Sequence, residues 1–290
     1  MIGGAVLKKS NKKINRSFGG TLLLFIFIGL VGIFMALPMI YVISSAFKPL
    51  EELFLFPPRI FPQNPTLSNF KEMSSLLSNL WVTFDRYVFN SIFVSLIATI
   101  GYLFIATLAA YPLAKHQFKG KRIVNEAIVI ALMLNTAVTG LVQYLLMSML
   151  KMIDTYAAMI LPSFASTLGV FLCVQYLSTL PDVMLEAAKI DGAGEFRIFF
   201  NIVIPNIKPV LFTILIFQFQ SAWNISPGNV VYSEELKTLP LVLSQLASGG
   251  IARSGVGSAA ALIMIIPPIA VFILSQSNVM ETMTHSGIKD

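Results

Sequence analysis

Charge is what this sequence has least of. Only 12% of its 290 residues are Asp, Glu, Lys or Arg, against about 25% in a soluble domain. That excludes an ordinary water-facing surface. With 56% hydrophobic residues and a mean hydropathy of +0.79, the chain reads as a membrane protein. Cysteine is nearly absent. The single Cys173 rules out an internal disulfide framework, and its apolar neighbours make it a small packed residue. The two histidines, His116 and His285, have no cysteine cluster to join, which leaves no metal-ligand spacing. No G-x-x-x-x-G-K-[ST] phosphate loop, H-E-x-x-H pair or serine-nucleophile motif occurs, so nothing in the sequence supports catalysis in this chain.

What is present is length of apolar run. A bilayer needs about 20 mainly apolar residues per helix, and six stretches qualify, near 20–46, 88–113, 125–149, 156–178, 208–225 and 256–279. Pro38, Pro162 and Pro267 fall within or beside them, which membrane helices tolerate. The first run is too long for a cleaved signal. The expected fold is all-α, a polytopic membrane protein of six transmembrane helices. Its organisation is a cytoplasmic segment at 1–19, a single membrane domain at 20–280, and a cytoplasmic tail at 281–290.

Basic residues set the orientation. With the N-terminus in the cytoplasm, thirteen of the 20 Lys and Arg residues fall inside, including Lys8, Lys9, Lys12, Lys13, Arg16 and the loop KHQFKGKR. Both termini are then cytoplasmic, and topology, not a nucleic-acid partner, explains the pI of about 9.4.

None of the six stretches holds an ionisable residue in its interior; Glu126 sits at an end. Proton-coupled carriers keep such groups at membrane depth. The polarity on offer is neutral. Asn135, Thr139 and Gln143 are spaced for one stripe of the third helix, and Gln218, Gln220, Trp223 and Asn224 belong to the fifth. Such groups glue helices together, or they line a path for a neutral polar solute such as a sugar, which amides and aromatic faces bind.

One compact charged segment interrupts this pattern. In LPDVMLEAAKIDGAGEFRIFFNIVIP, residues 180–205, Asp182 is placed to cap a short helix after Pro181. Val183, Ala187 and Ile190 share one face of it. Gly192 and Gly194 end it, as residues that accept positive φ, and a second helix follows to Pro205. The expectation is a helix–turn–helix knuckle in the cytoplasm, either a plain surface helix or a docking element.

The segment resembles the EAA motif, E-A-A-x3-G-x9-I-x-L-P, of permease subunits of ATP-binding-cassette importers. Glu186, Ala187, Ala188, Gly192, Ile202 and Pro205 match, and Ile204 stands for the usual leucine. The outer loop around Pro62, Pro65 and Phe70 and the tail Ser286-Gly287-Ile288-Lys289 resemble the second permease of carbohydrate importers, the maltose-transporter class; Asp290 departs from the usual terminal glycine. The resemblance implies a type I importer permease of MetI-like fold in a bacterial inner membrane, with the coupling loop at 181–208. It implies ATPase coupling through Glu186, Ala187, Ala188, Asp191, Gly192 and Ala193, and tail contacts from His285, Gly287 and Lys289. The implied partners are a second permease, two ATPase subunits and an extracellular solute-binding protein. ATP and Mg are then held by the partner subunits, with no cofactor in this chain, and an oligosaccharide is the implied cargo. Importers of amino acids, peptides or phosphate, and a secondary transporter, are the alternatives.

On this reading Gly192→Pro, or a bulky charge at Ala188, uncouples ATP hydrolysis from transport without preventing membrane insertion. Undiminished uptake by either variant in reconstituted vesicles would contradict it.

Overall fold

The computed structural model describes residues 18–134 and 136–286. The expected basic segment Lys8–Arg16, Asn135, and Gly287 and Lys289 of the tail lie outside the described residues. Thr139 and His285 are described as helical backbone only.

Among the described residues the chain is helical with no strand. In chain order, α1 is Phe18–Ala46, α2 Ser68–Ser78, α3 Phe84–Lys115, α4 Lys121–Met133, α5 Thr136–Met149 and α6 Tyr156–Ser178. Then come α7, Asp182–Ile190, α8, Glu195–Asn206, α9, Lys208–Trp223, α10, Leu239–Ala247, and α11, Ser254–Ser286. Within α1, α3, α6 and α11 lie four single stretches long and apolar enough to cross a membrane; α8 and α9 form a fifth only as a pair bent by 77°.

The third expected span departs from the prediction. It is not one helix over 125–149: α4 ends at Met133 and Leu134 turns extended, at ψ 132°, before α5 begins. The sequence there, Leu-Asn-Thr, carries residue types favoured at helix starts, so hydropathy sees one run where the backbone makes two. Of the residues expected to form a stripe, Thr139 and Gln143 share α5, and Asn135 lies outside the described residues.

Breaks of this kind free backbone polar groups that hydrocarbon cannot satisfy. In this chain, side chains from neighbouring helices take them up. α6 passes through a 3-10 stretch at Leu161–Ala165 and restarts at Thr167. The buried Tyr102 of α3 donates its hydroxyl to the Ser166 carbonyl at 2.7 Å and accepts from the Gly169 amide at 2.8 Å. Gln218 of α9 donates to the Ser163 carbonyl at 3.2 Å. In α11, Pro268 has no N–H for the Met264 carbonyl four residues back. The Trp223 indole N–H fills that place at 3.1 Å.

α3 is the axis of the bundle. Towards its Lys115 end it joins α6, α7, α8 and α9 in one core, with Tyr111, Leu177, Leu185, Ile198, Phe199 and Ile207 buried together. Towards its Phe84 end it meets a second core built from Met73 and Leu77 of α2, Trp223, α10 and α11. There the buried Asn90 donates to the Glu235 and Lys237 carbonyls at 2.8 and 2.9 Å, and Tyr156 donates to Asn90 at 2.7 Å. The 225–239 loop is thereby fixed to the bundle. Most of α1 remains exposed and apolar.

Close approach of α3 and α6 rests on Gly169. A Cβ there would stand 2.4 Å from the Tyr102 hydroxyl and 2.9 Å from Ile214 Cγ2. Gly169→Val is expected to destabilise by about 1–3 kcal/mol, the usual penalty of overpacking. It reads as a lowered thermal midpoint of the detergent-purified protein; an unchanged midpoint would contradict the packing described.

Candidate functional site

The charged segment folds as a knuckle beyond the Lys115 end of α3. Pro181 occupies the cap position of α7 with no side-chain bond, so Asp182 does not cap the helix as expected. It is the first helical residue, and its carboxylate pairs instead with Lys115 Nζ at 2.7 Å. Such an acid also suits the positive end of the helix dipole. Lys115 Nζ donates in addition to the Leu180 carbonyl at 2.6 Å. The base of α7 is thus fastened to the end of α3.

The turn explains the E-A-A-x3-G spacing. The Gly192 amide donates to the Lys189 carbonyl at 3.0 Å and the Ala193 amide to the Ala188 carbonyl at 2.9 Å. These are the paired bonds of a Schellman motif, with Gly192 at φ +78° in the left-handed position. Ala188 and Ala193 flank the turn and pack, half-buried, on the core below. Only the first glycine needs its freedom. Gly194 has φ −71°, so the expectation of positive φ there fails, and it serves as an N-cap, where glycine is tolerated.

α8 then returns to the bundle. Pro205 cannot donate to the Asn201 carbonyl, and the helix widens to a π turn over Phe199–Val203 just before it. Ile198, Phe199 and Val203 are buried in the same core as α3, α6 and α9. What faces outward is different. Val183 is 71% exposed, Ile190 86% and Phe196 77%. With exposed Ala187 they form an apolar crest, and exposed Glu186, Asp191 and Arg197 surround it. Apolar crests ringed by charge mark interaction surfaces.

Glu195 ties the two arms together. Its carboxylate takes Lys189 Nζ of α7 at 2.9 Å, the Tyr111 hydroxyl of α3 at 2.9 Å, and His116 Nε2 at 3.5 Å. The hydrogen bond from Lys189, above all, holds its carboxyl below the usual range. Sequence reasoning gave Glu195, Tyr111 and His116 no role. Lys189 and Glu195 flanking a glycine turn were a legible signal, but Tyr111 lies 84 residues from Glu195 and carried none.

The polar residues expected along a pathway separate into two groups. Gln218 and Trp223 are buried and bonded to carbonyls; for Trp223 this is packing, a correction to its expected lining role. Gln220 is exposed on one face of α9 with Phe217 and Ser221, and Asn224 is exposed at its end. Asn224 Nδ2 donates to the Gln220 carbonyl at 2.9 Å. Gln143 is exposed on α5 at the mouth of a cleft shared with Ser226 and Asn229. The side chains of the tail residues His285, Gly287 and Lys289 lie outside the described residues.

Residues 103–284 match the family described as binding-protein-dependent transport system inner membrane component. The arabinooligosaccharides transport system permease protein AraQ of Halalkalibacterium halodurans is 30% identical over 269 residues, covering 91% of this chain and 94% of the relative. Protein LplC of Bacillus subtilis is 29% identical over 280 residues, 91% and 92% of the two chains. The sn-glycerol-3-phosphate transport system permease protein UgpE of Yersinia enterocolitica is 31% identical over 208 residues, 67% and 70%. A solved bacterial ABC transporter involved in import of the acidic polysaccharide alginate shares the fold, with TM-score 0.72 and 23% identity over 90% of this chain and 98% of that one.

The Glu195 tether has a measurable signature. Exposed charge pairs contribute about 0.2–1 kcal/mol, so Glu195→Gln is expected to speed amide exchange over residues 182–198 by up to about five-fold. Because the carboxyl is held low, the tether stands at neutral pH and is lost only as pH falls below the usual carboxylate range. Equal exchange in the variant and the parent at pH 7 would contradict it.

Proposed function

The chain belongs to the binding-protein-dependent transport system inner membrane component family, and from that premise we propose that it is the sugar-importing permease whose knuckle receives an ATPase subunit. It acts as a translocating subunit and carries out no catalysis itself. The knuckle lies in the cytoplasm, with both termini, in a bacterial inner membrane. ATP and Mg are held by two partner ATPases, and a second permease completes the translocation path. A solute-binding protein delivers the cargo at the opposite face; one related solved complex is of an alginate ABC transporter with its pentasaccharide-bound periplasmic protein.

The observation that carries this reading is the apolar crest of Val183, Ala187, Ile190 and Phe196 on the polar end of the molecule. A groove on a partner would bury it, with Glu186, Asp191 and Gly192 at the rim. The mechanism follows from how the knuckle is mounted. Its outer surface is free, while Leu185, Ile198 and Phe199 are locked into the bundle core. A push on the crest therefore moves α8 as a rigid piece, and α8 leads into α9 through the bend at Ile207. α9 carries Phe217, Gln220 and Ser221 on its exposed face, with exposed Asn224 capping its end. Closure of the ATPase pair thus re-aims a polar helix face against the second permease, which is alternating access. The coupling is reciprocal, since the two equilibria are linked. Amides and hydroxyls without charge suit a saccharide, the cargo named for the arabinooligosaccharide relative.

Affinity purification in mild detergent from the native host tests the assembly. A second permease and two ATPase copies per chain are expected. Ile190→Glu places an unpaired charge in the proposed groove and is expected to lower ATPase recovery by about ten-fold or more while the second permease stays. Recovery of the chain alone, with transport after reconstitution without ATP, would overturn the reading.

A further inference from the structure

At the end of the bundle away from the knuckle, α5 and the loop after α9 enclose a cleft of about 150 Å³. Its walls carry Gln143 and Tyr144 from α5, Pro162 from α6, and Ser226, Pro227 and Asn229 from the loop. We propose that this cleft is a subsite for one uncharged sugar ring of the transported solute. The proposal rests on the permease reading above and adds to it a place and a charge class for the cargo.

Three observations carry it. The first is chemistry. Two side-chain amides, a serine hydroxyl and a half-buried tyrosine ring converge on one small space. Amides donate and accept at once, as vicinal hydroxyls require. A tyrosine offers both an apolar face and a polar tip. Among the described residues neither the Gln143 nor the Asn229 amide has a hydrogen-bond partner, and both are exposed. No lining residue is charged. A phosphate or carboxylate entering here would lose water without gaining a cation, which is strongly unfavourable.

The second is size. A cavity of about 150 Å³ admits a single six-membered ring. The cleft is open on one side, so it reads one unit and leaves the rest of a chain to the wider path.

The third is that the loop wall is preorganised. The Asp154 carboxylate accepts the Tyr232 and Ser233 amides at 2.9 and 2.8 Å, and the Ser233 hydroxyl as well. The Asp154 amide donates to the Val230 carbonyl at 2.8 Å. The Val230 and Val231 amides both donate to the Pro227 carbonyl at 2.9 Å, and Thr238 donates to the Ile225 carbonyl at 3.1 Å. Tyr232 stands beside the cleft, its hydroxyl donating to the carbonyl of the lining residue Asn229 at 2.9 Å. A loop pinned at this many points keeps Ser226 and Asn229 in place before any ligand arrives. That lowers the entropy lost on binding. Asn224, one residue before the loop, stands exposed at the end of α9, so the cleft adjoins the polar face along which the cargo is proposed to move.

The test uses the complete transporter, purified with its second permease and ATPases. Binding is read by isothermal titration calorimetry on the unaltered cleft, with arabinotriose and maltotriose as neutral probes, and with sn-glycerol-3-phosphate and an alginate trisaccharide as anionic ones. Saturable binding is expected with a neutral probe and none with the anions. Gln143→Ala and Asn229→Ala are expected to weaken it about ten-fold, the worth of one to two hydrogen bonds. Asn229→Asp keeps the side-chain shape and is expected to weaken it as much, which separates lost recognition from misfolding. No response to either neutral probe, equal response to the anions, or unchanged affinity in all three variants would overturn the subsite. The failures are distinguishable. Intact ATP-driven sugar uptake by the Gln143→Ala/Asn229→Ala double variant removes the subsite and leaves the importer reading standing, whereas absence of a co-purifying ATPase removes the reading itself.

Discussion

A helix that breaks inside hydrocarbon must find partners for the carbonyls and amides it releases, and this chain is organised around that requirement. Tyr102 serves the interruption of α6 from α3. Gln218 serves the same interruption from α9. Trp223 serves the carbonyl that Pro268 leaves open in α11. Each repair crosses from one helix to another, so it also fixes how the two pack. An unsatisfied backbone group in a bilayer costs several kcal/mol, more than a typical pairwise helix contact contributes. Tyr102, Gln218 and Trp223 are therefore structural first.

The knuckle obeys the opposite logic. It stands where water is available, so its turn can satisfy its own backbone through the Schellman pair at Ala188–Ala193 and Lys189–Gly192. Its polar inward contacts are few and specific: Lys115 to Asp182, and Tyr111, His116 and Lys189 to Glu195. Its outward surface is apolar where exposure is greatest. The element is braced on one side and bare on the other.

The parts of this arrangement legible in the sequence were the local ones. Glu186-Ala187-Ala188 with Gly192 four residues on is a helix terminus written in neighbouring letters, and the turn forms as that spacing requires. The long apolar runs of α1, α3 and α11 needed only counting. Non-local chemistry left no trace. Nothing near Tyr111 announces Glu195, 84 residues away, and nothing near Trp223 announces the Met264 carbonyl, 41 residues away. Hydropathy also averages over a single extended residue such as Leu134, which is why the third run read as one helix. Gly192 and Gly194 look alike in the sequence, and only backbone geometry shows that the first alone occupies the left-handed region.

Under the proposed coupling, the 77° bend between α8 and α9 would make the pair a bell crank with Ile207 at the pivot. α9 extends about 24 Å at 1.5 Å per residue. A rigid turn of the short arm by ~10° about that pivot carries the Trp223 end through about 4 Å over this length. A small sideways stroke on the knuckle would thus become a larger sweep at the far end of α9. The direction of the stroke, not only its size, is converted at the elbow.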